Sequence, residues 1–347
     1  MKTKRGCQAA VKKHLANAAV LCVALVLAPA VIEVGVRLLR PQPDIAEWFR
    51  QDDRYGFALK PDFRQAYHYG THDFVMHVQT NAQGFREPAP EAAGEAGIPS
   101  ILLLGDSFVF GYGINVEDRF DIHLRKGFEA EGRPVRTINA GVPGWGTQNE
   151  VRYALDHLDD HAARVVVLAF CANDPANDRG ADRPALPDVK SPLYAPKMFL
   201  RLHSHTYRLL LKLRALRRHD AKLENDMADG GQGRLDLQSA SIISEEQWQR
   251  TLSTIRSFHQ ELNKANGHVA LILLATAPDN QDIRLHLSSL DNAGHLRYLD
   301  LAPALAAVSP AERRTPWDGH WSPGVHRIVG RELHDFISQN GLLQGKP

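Results

Sequence analysis

Apolar and polar positions along this chain fall into three regimes. Over residues 15–36 nearly every position is Ala, Val, Leu or Ile, and the polar exceptions are Asn17 and Glu33. A run of that length matches the ~20 residues a helix needs to cross a hydrocarbon core. Pro41 and Pro43 then end the helix and open a linker. Residues 44–86 mix polar positions with Tyr55, Phe57, Tyr67, Tyr69, Phe74 and Phe85, and the alternation over 74–78 predicts a small β element. Residues 88–99, rich in Ala, Glu, Pro and Gly, read as a loop. From Ile101 onward short apolar runs alternate with amphipathic stretches. The apolar run at 101–104 predicts a buried parallel strand, and 135–139, 165–170 and 269–275, with a fifth at 296–299, are further strand candidates. The stretches at 118–131, 148–157, 244–266 and 323–339 predict helices between and after them. Strands alternating with helices predict an α/β domain with a parallel sheet covered on both sides.

Residues 175–237 interrupt this rhythm. Within them lies a basic, leucine-rich stretch, 199–218, with Arg201, Arg208, Lys212, Arg214, Arg217 and Arg218. It suits an amphipathic helix that touches an anionic membrane or an acidic substrate. It equally suits a solvated helix capping one face of the domain, and the second reading is preferred. Gly230, Gly231 and Gly233 read as a hinge. The organisation expected is a basic tail (1–14), an apolar anchor (15–38), a linker with a lead-in β element (39–99), and an α/β domain (100–340) carrying the insertion at about 175–237.

Charge settles the orientation of the apolar helix but names no partner. Lys2, Lys4, Arg5, Lys12 and Lys13 precede it, so the positive-inside tendency holds the N-terminus in the cytoplasm. The chain is then expected to be a single-pass protein of the cell inner membrane, with its α/β domain periplasmic or extracellular. Ala28-Pro29-Ala30 offers the alternative of a cleaved signal peptide. The anchor is preferred because the apolar run continues to Val36, and both readings export the rest of the chain. Lys and Arg number 41 and Asp and Glu 40, so no net field draws the protein to nucleic acid. Of three cysteines, Cys7 and Cys22 lie in or before the apolar segment. Cys171 alone remains in the folded part, which excludes an internal disulfide there and a cysteine-based zinc site.

Four segments carry chemistry, and each adjoins a predicted element. Leu102-Leu103-Leu104-Gly105-Asp106-Ser107 places a serine after a buried strand, at the strand end where open α/β sheets bind ligands. Its hydroxyl needs a base to act as a nucleophile. Asn139 to Gly146, with Gly141, Gly144 and Gly146, suits a backbone N–H aimed at an oxyanion. Asn173, after the third strand, brings a side-chain N–H suited to the same task. Asp318-Gly319-His320 precedes the last helix; the imidazole can take the serine proton and the carboxylate can hold the ring. Each segment alone reads more simply as a turn or cap. Together, in order, they place side chains at one rim of the sheet.

This ordered set resembles the SGNH (GDSL-type) hydrolase superfamily, named for Ser, Gly, Asn and His in four successive blocks, here Ser107, Gly144, Asn173 and His320. The lead-in Thr80-Asn81-Ala82-Gln83-Gly84-Phe85-Arg86 also resembles that of membrane-anchored bacterial members. The resemblance implies a three-layer α/β/α flavodoxin-like fold and a serine esterase without metal or organic cofactor. Ser107 would be the nucleophile, His320 the base and Asp318 its orienting partner, with an oxyanion hole from the N–H groups of Ser107 and Gly144 and the Asn173 side chain. The expected partners are an acylated small molecule or glycan and the membrane.

Three positions depart from the family pattern. Cys171 stands where the third block usually has Gly, Phe108 where Leu is common, and Asp318 lies two residues before His320 rather than three. The last spacing is similar to that of SGNH-like O-acetyltransferases, so acyl transfer to an exopolysaccharide or cell-wall glycan stands as the alternative to hydrolysis. A catalytically inert glycan-binding or scaffold protein is the second alternative. His326 is a rival base, but it fits the second histidine that the family carries six residues after its catalytic one.

Overall fold

The computed structural model describes residues 2–42, 44–68, 74–86, 97–178, 193–211, 213–214, 243–266, 269–291, 296–317 and 319–344. Asp318 therefore lies outside the described residues. So do Lys212, Arg217, Arg218, the Gly230–Gly233 hinge, most of the 88–99 loop and most of the insertion. The chain forms two compact units, one of Met1–Glu47 with Pro187–Arg234 and one of Trp48–Leu186 with Leu235–Pro347.

In the larger unit two antiparallel pairs come first. Strand β1 (Phe49–Asp52) pairs with β2 (Gly56–Leu59), and β3 (Arg64–His68) with β4 (Val75–Gln79). The main sheet follows: β5 (Ser100–Gly105), β6 (Arg136–Gly141), β7 (Ala163–Phe170), β8 (Ala270–Ala275) and β9 (Leu296–Leu299). All its pairings are parallel and the spatial order is β6-β5-β7-β8-β9. Counted from its own first strand that order is 2-1-3-4-5, the flavodoxin-like winding. All six residues of β5 and of β8 are buried. Parallel strands covered on both faces must be apolar throughout, which is why these runs show no alternation.

Helices Phe120–Ala130 and Pro323–Gln339 pack together against one side of the sheet, around Ile101, Leu103, Phe128, Val329 and Leu333. Helix Thr147–His161 packs with Glu245–Asn266. The last helix starts as its sequence dictates: Ser322 caps it by accepting the Val325 N–H at 3.4 Å, and Pro323 occupies the first turn. The chain leaves β5 for β6 on one side and later returns to β7 on the other. The end of β5 is thus the topological switch point, and Ser107 lies two residues beyond it.

The lead-in strands fold within the same compact unit as this sheet. Trp145 Nε1 donates to the Phe57 carbonyl at 2.9 Å, Asn149 Nδ2 donates to the Tyr55 carbonyl at 2.9 Å, and Trp48 stacks on Phe110 at 5.5 Å.

The smaller unit contains the helix Lys2–Leu39, which runs unbroken through Pro29. Its segment Asn17–Leu39 has a mean hydropathy of 2.5 and is long and apolar enough to cross a membrane, a property a signal sequence shares.

Candidate active site

Ser107 opens a four-residue helix, Ser107–Phe110, whose N-cap is Asp106: one carboxylate oxygen accepts the Phe108 N–H at 3.0 Å. The serine is half-buried, and its Oγ lies 2.8 Å from His320 Nε2, contributed by the loop before the last helix. That distance lets the hydroxyl donate its proton to the ring nitrogen. The rings of Phe108 and Tyr112 flank the imidazole, each with its centroid 4.9 Å away. On the same loop, Trp317 stacks on Phe74 at 4.3 Å and donates to the Gly113 carbonyl at 3.0 Å.

The glycine segment and Asn173 reach the same rim. Val142 N–H donates to the Gly105 carbonyl, and the Trp145 N–H closes a turn onto the Val142 carbonyl at 3.0 Å. Pro143 and Gly144 occupy the middle of this turn, and Gly144 has φ +90°, the type II arrangement that admits Gly at its third position. Asn173 is exposed at the end of β7, with Nδ2 3.4 Å from Asp106 Oδ2. Ser107, Gly144, Asn173 and His320 thus come from three consecutive strand ends and the loop before the final helix. Asp318 lies outside the described residues.

Asp106 is fully buried, and desolvation pushes its carboxyl above the ordinary carboxylate range; the Phe108 N–H and the nearby His320 charge offset part of that. His326 is not a second base at this site. It is buried against Phe120, its Nδ1 accepts the Phe120 N–H at 3.3 Å, and burial followed by the Arg119 charge drives its pKa well down. Cys171 is buried as well, and desolvation raises its thiol pKa well above the ordinary value, so it stays protonated beside the site.

Two sets of residues around the site carry roles that the sequence did not assign, although the lead-in motif included Arg86. The first is Arg86, 1% exposed. Its guanidinium donates to the carbonyls of Gly111 (2.6 Å), Phe110 (3.3 Å), Ile114 (2.8 Å) and His77 (2.8 Å). Three of these lie at or just beyond the C-terminal end of the Ser107 helix, so one side chain ties the lead-in strands to the segment that presents Ser107. Its own carbonyl accepts from Arg119, which forms a buried bidentate pair with Asp121. The turn Asn81–Phe85 delivers Arg86 there, with Asn81 Oδ1 accepting the Gln83 and Phe85 N–H groups.

The second set is a group of carboxyls behind the glycine segment and the Asn173 loop. Asp174 Oδ2 accepts from Thr147 Oγ1 and the Cys171 N–H, and Asp178 Oδ1 accepts the Gln148 N–H at 2.8 Å. Glu150 is fully buried, and neither of its oxygens has a hydrogen-bond partner among the described residues. Desolvation, then the charges of Asp106 and Asp178, push its carboxyl well above the ordinary range. Asp174 moves the same way, and burial lifts Asp178 to about 6. A signal for Glu150 existed in its spacing, since it shares the i, i+4 stripe with Ala154 and Leu158, both buried.

Comparison with known proteins shows the family. Residues 103–327 match the model of the GDSL-like lipase/acylhydrolase family, and the chain belongs to that family. It is an SGNH-type enzyme acting on ester bonds. Similar solved structures include the lipase/acylhydrolase from Enterococcus faecalis, at 18% identity and a TM-score of 0.41, covering 72% of this chain and 100% of that one. The Clostridium thermocellum family 3 carbohydrate esterase is similar at 12% identity and a TM-score of 0.43, with 71% and 100% covered. A two-domain esterase active on acetylated mannans is similar at 14% identity and a TM-score of 0.41, with 72% and 52% covered. Comparison with curated proteins returned no match.

Two outcomes follow. Arg86→Ala is expected to lower kcat on a short acyl ester about 10²-fold, the scale of a 1 Å misplacement. KM should change little, because substrate does not touch Arg86; Arg86→Lys should restore part of the loss. Unchanged kcat in folded Arg86→Ala would remove the positioning role. Glu150→Gln should stabilise the protein increasingly as pH rises. The folded carboxyl holds its proton above the pH at which the unfolded one releases it, so wild-type stability falls as pH rises from the ordinary carboxylate pKa toward the elevated folded one, and Gln abolishes that slope. Denaturant midpoints measured at pH 5 and pH 8 test this; an equal gain at both refutes it.

Proposed function

We propose that this enzyme hydrolyses short acyl esters by covalent serine catalysis, and that its substrate is an acylated glycan of the envelope or a secreted glycan. The observation that carries the mechanism is the 2.8 Å approach of Ser107 Oγ to His320 Nε2. Ser107 Oγ attacks the ester carbonyl carbon as its proton passes to Nε2. The tetrahedral oxyanion is held by the N–H groups of Ser107 and Gly144 and by the Asn173 side chain. As the carbon–oxygen bond to the alcohol breaks, His320 returns the proton to the leaving oxygen. Water, deprotonated by the same nitrogen, then releases the acid and restores Ser107. Asp318, two residues before His320 where the family usually has its Asp three before, is the orienting carboxylate on this reading.

The glycan reading is supported by access. Asn173 is exposed and Ser107 and His320 are half-buried, so an ester on a bulky carrier can reach the nucleophile. It is supported also by the apolar helix Asn17–Leu39, which we take as an inner-membrane anchor that leaves the enzyme facing the envelope. The spacing of Asp318 and His320 supports a second reading, transfer of the acyl group to a sugar hydroxyl that replaces water in the last step.

Ser107→Ala should abolish turnover of short acyl esters and labelling by a fluorophosphonate probe. Asn173→Ala should lower kcat by roughly 10²–10³, the cost of one oxyanion donor. Persistent esterase activity in Ser107→Ala would refute the mechanism, and wild-type protein that neither turns over esters nor reacts with the probe would leave an inert binding protein. Acylated product accumulating with a glycan acceptor would identify the transferase.

A further inference from the structure

We propose that the segment 193–214 is a membrane-docking platform that lies in the lipid headgroup layer, held there by the end of the apolar helix. The inference rests on the reading of Asn17–Leu39 as a membrane anchor and goes beyond it, because it assigns a second lipid contact to a part of the chain distant in sequence.

Glu33 provides the geometric constraint. It stands inside the apolar segment, six residues before its end at Leu39. Its carboxylate accepts the His205 N–H (2.8 Å), the Thr206 N–H (3.0 Å) and the Ser204 hydroxyl (2.8 Å), and pairs with Arg37 at 3.2 Å. A second set of bonds reinforces the attachment. Arg37 donates to the His203 carbonyl at 2.7 Å, Arg201 pairs with Asp44 at 2.9 Å, and buried Arg208 donates to the Gln42 carbonyl at 2.7 Å and pairs with Glu47. The helix Tyr194–His203 and the helical residues 205–211 are therefore fastened to the stretch between Glu33 and Glu47.

Helix geometry fixes the consequence. Six residues at 1.5 Å each is about 9 Å, comparable to the headgroup layer on one side of a bilayer. A segment bonded to Glu33 cannot stand clear of the membrane that surrounds the helix. The segment's surface suits that place. Leu193, Phe199, Leu200, Leu210, Leu211 and Leu213 are exposed, with Phe199 62% and Leu210 59% accessible. Lys197 and Arg214 are exposed among them. The sequence from Leu193 to Arg218 contains no Asp or Glu, against Lys197, Arg201, Arg208, Lys212, Arg214, Arg217 and Arg218. Arg201 and Arg208 are engaged by Asp44 and Glu47, whereas the exposed Lys197 and Arg214 beside the apolar side chains match an anionic lipid interface, where the leucines enter the acyl boundary and these two cations meet phosphate. A solvated helix capping a domain, preferred on sequence grounds, does not account for large apolar side chains left exposed beside the anchor. The lipid surface is continuous with the exposed flank of the anchor itself and needs no further partner.

The test uses the full chain reconstituted into phosphatidylcholine–phosphatidylglycerol vesicles that contain a phospholipid with a photoreactive diazirine near its glycerol backbone. Peptide mass spectrometry maps the adducts. Adducts are expected on 193–214 together with those on 17–39. The double variant Phe199→Glu/Leu210→Glu should lose the first set and keep the second, and replacing phosphatidylglycerol with phosphatidylcholine should weaken the first set selectively. Adducts on 17–39 with none on 193–214 overturn the platform and leave the anchor standing. No adducts on either segment overturn both readings.

Discussion

The chemistry proposed for this enzyme depends on one hydrogen-bonding distance, 2.8 Å between Ser107 and His320, groups separated by 213 positions in the chain. Neither residue reaches the other through local structure. Ser107 is set by the buried strand β5 and by Asp106, which caps the short helix the serine begins. His320 is set from the other end of the domain, by the final helix and by Trp321. That indole is buried in the core, and its Nε1 donates to the Thr276 carbonyl beyond β8 at 3.1 Å. The sheet is the ruler between them. Its strands are buried on both faces and close-packed, so an error in register or packing on either side is carried to the rim.

Around this contact the structure accumulates unfavourable groups. Asp106, Glu150, Asp174 and Asp178 are carboxyls out of water, and burial raises the pKa of each. A fold optimised only for stability would place apolar side chains at most of these positions. Asp106, Asp174 and Asp178 accept backbone N–H groups of Phe108, Cys171 and Gln148, and so order the turns that carry the nucleophile, the Asn173 loop and the glycine segment. Stability is exchanged for loop order where turn geometry limits the chemistry. Arg86 contributes from the opposite direction, a cation placed on backbone carbonyls at the end of the Ser107 helix, where the helix dipole favours positive charge.

Glu33 shows the same economy in the smaller unit. A carboxylate in an apolar helix is costly in lipid unless it is paired, and here it accepts from a helix start and from Arg37. The residue that looks like a flaw in the apolar run is the one that fastens a distant segment to it.

Much of this was legible in the residues alone. The five runs that predict strands coincide with β5 to β9 to within two residues at each end; β5, β7 and β8 are central strands written mostly in Val, Leu, Ile and Ala because both their faces are buried, whereas the edge strands β6 and β9 carry polar residues as well. The apolar run at 15–36 likewise states its own length and character. The α/β class and the chain order of Ser107, Gly144, Asn173 and His320 are therefore properties of the sequence, since they depend on local composition and on motifs at strand ends. Other features were decided only by tertiary structure. That His320 and not His326 faces Ser107 depends on which face of the last helix is buried; His326 falls on that face, against Phe120. The role of Arg86 depends on carbonyls 24 to 28 positions away in the chain. The attachment of 204–206 to Glu33 spans more than 170 positions. Hydrophobic periodicity encodes what a segment buries, whereas the partner of a charged or polar group is chosen by long-range packing that no local pattern records.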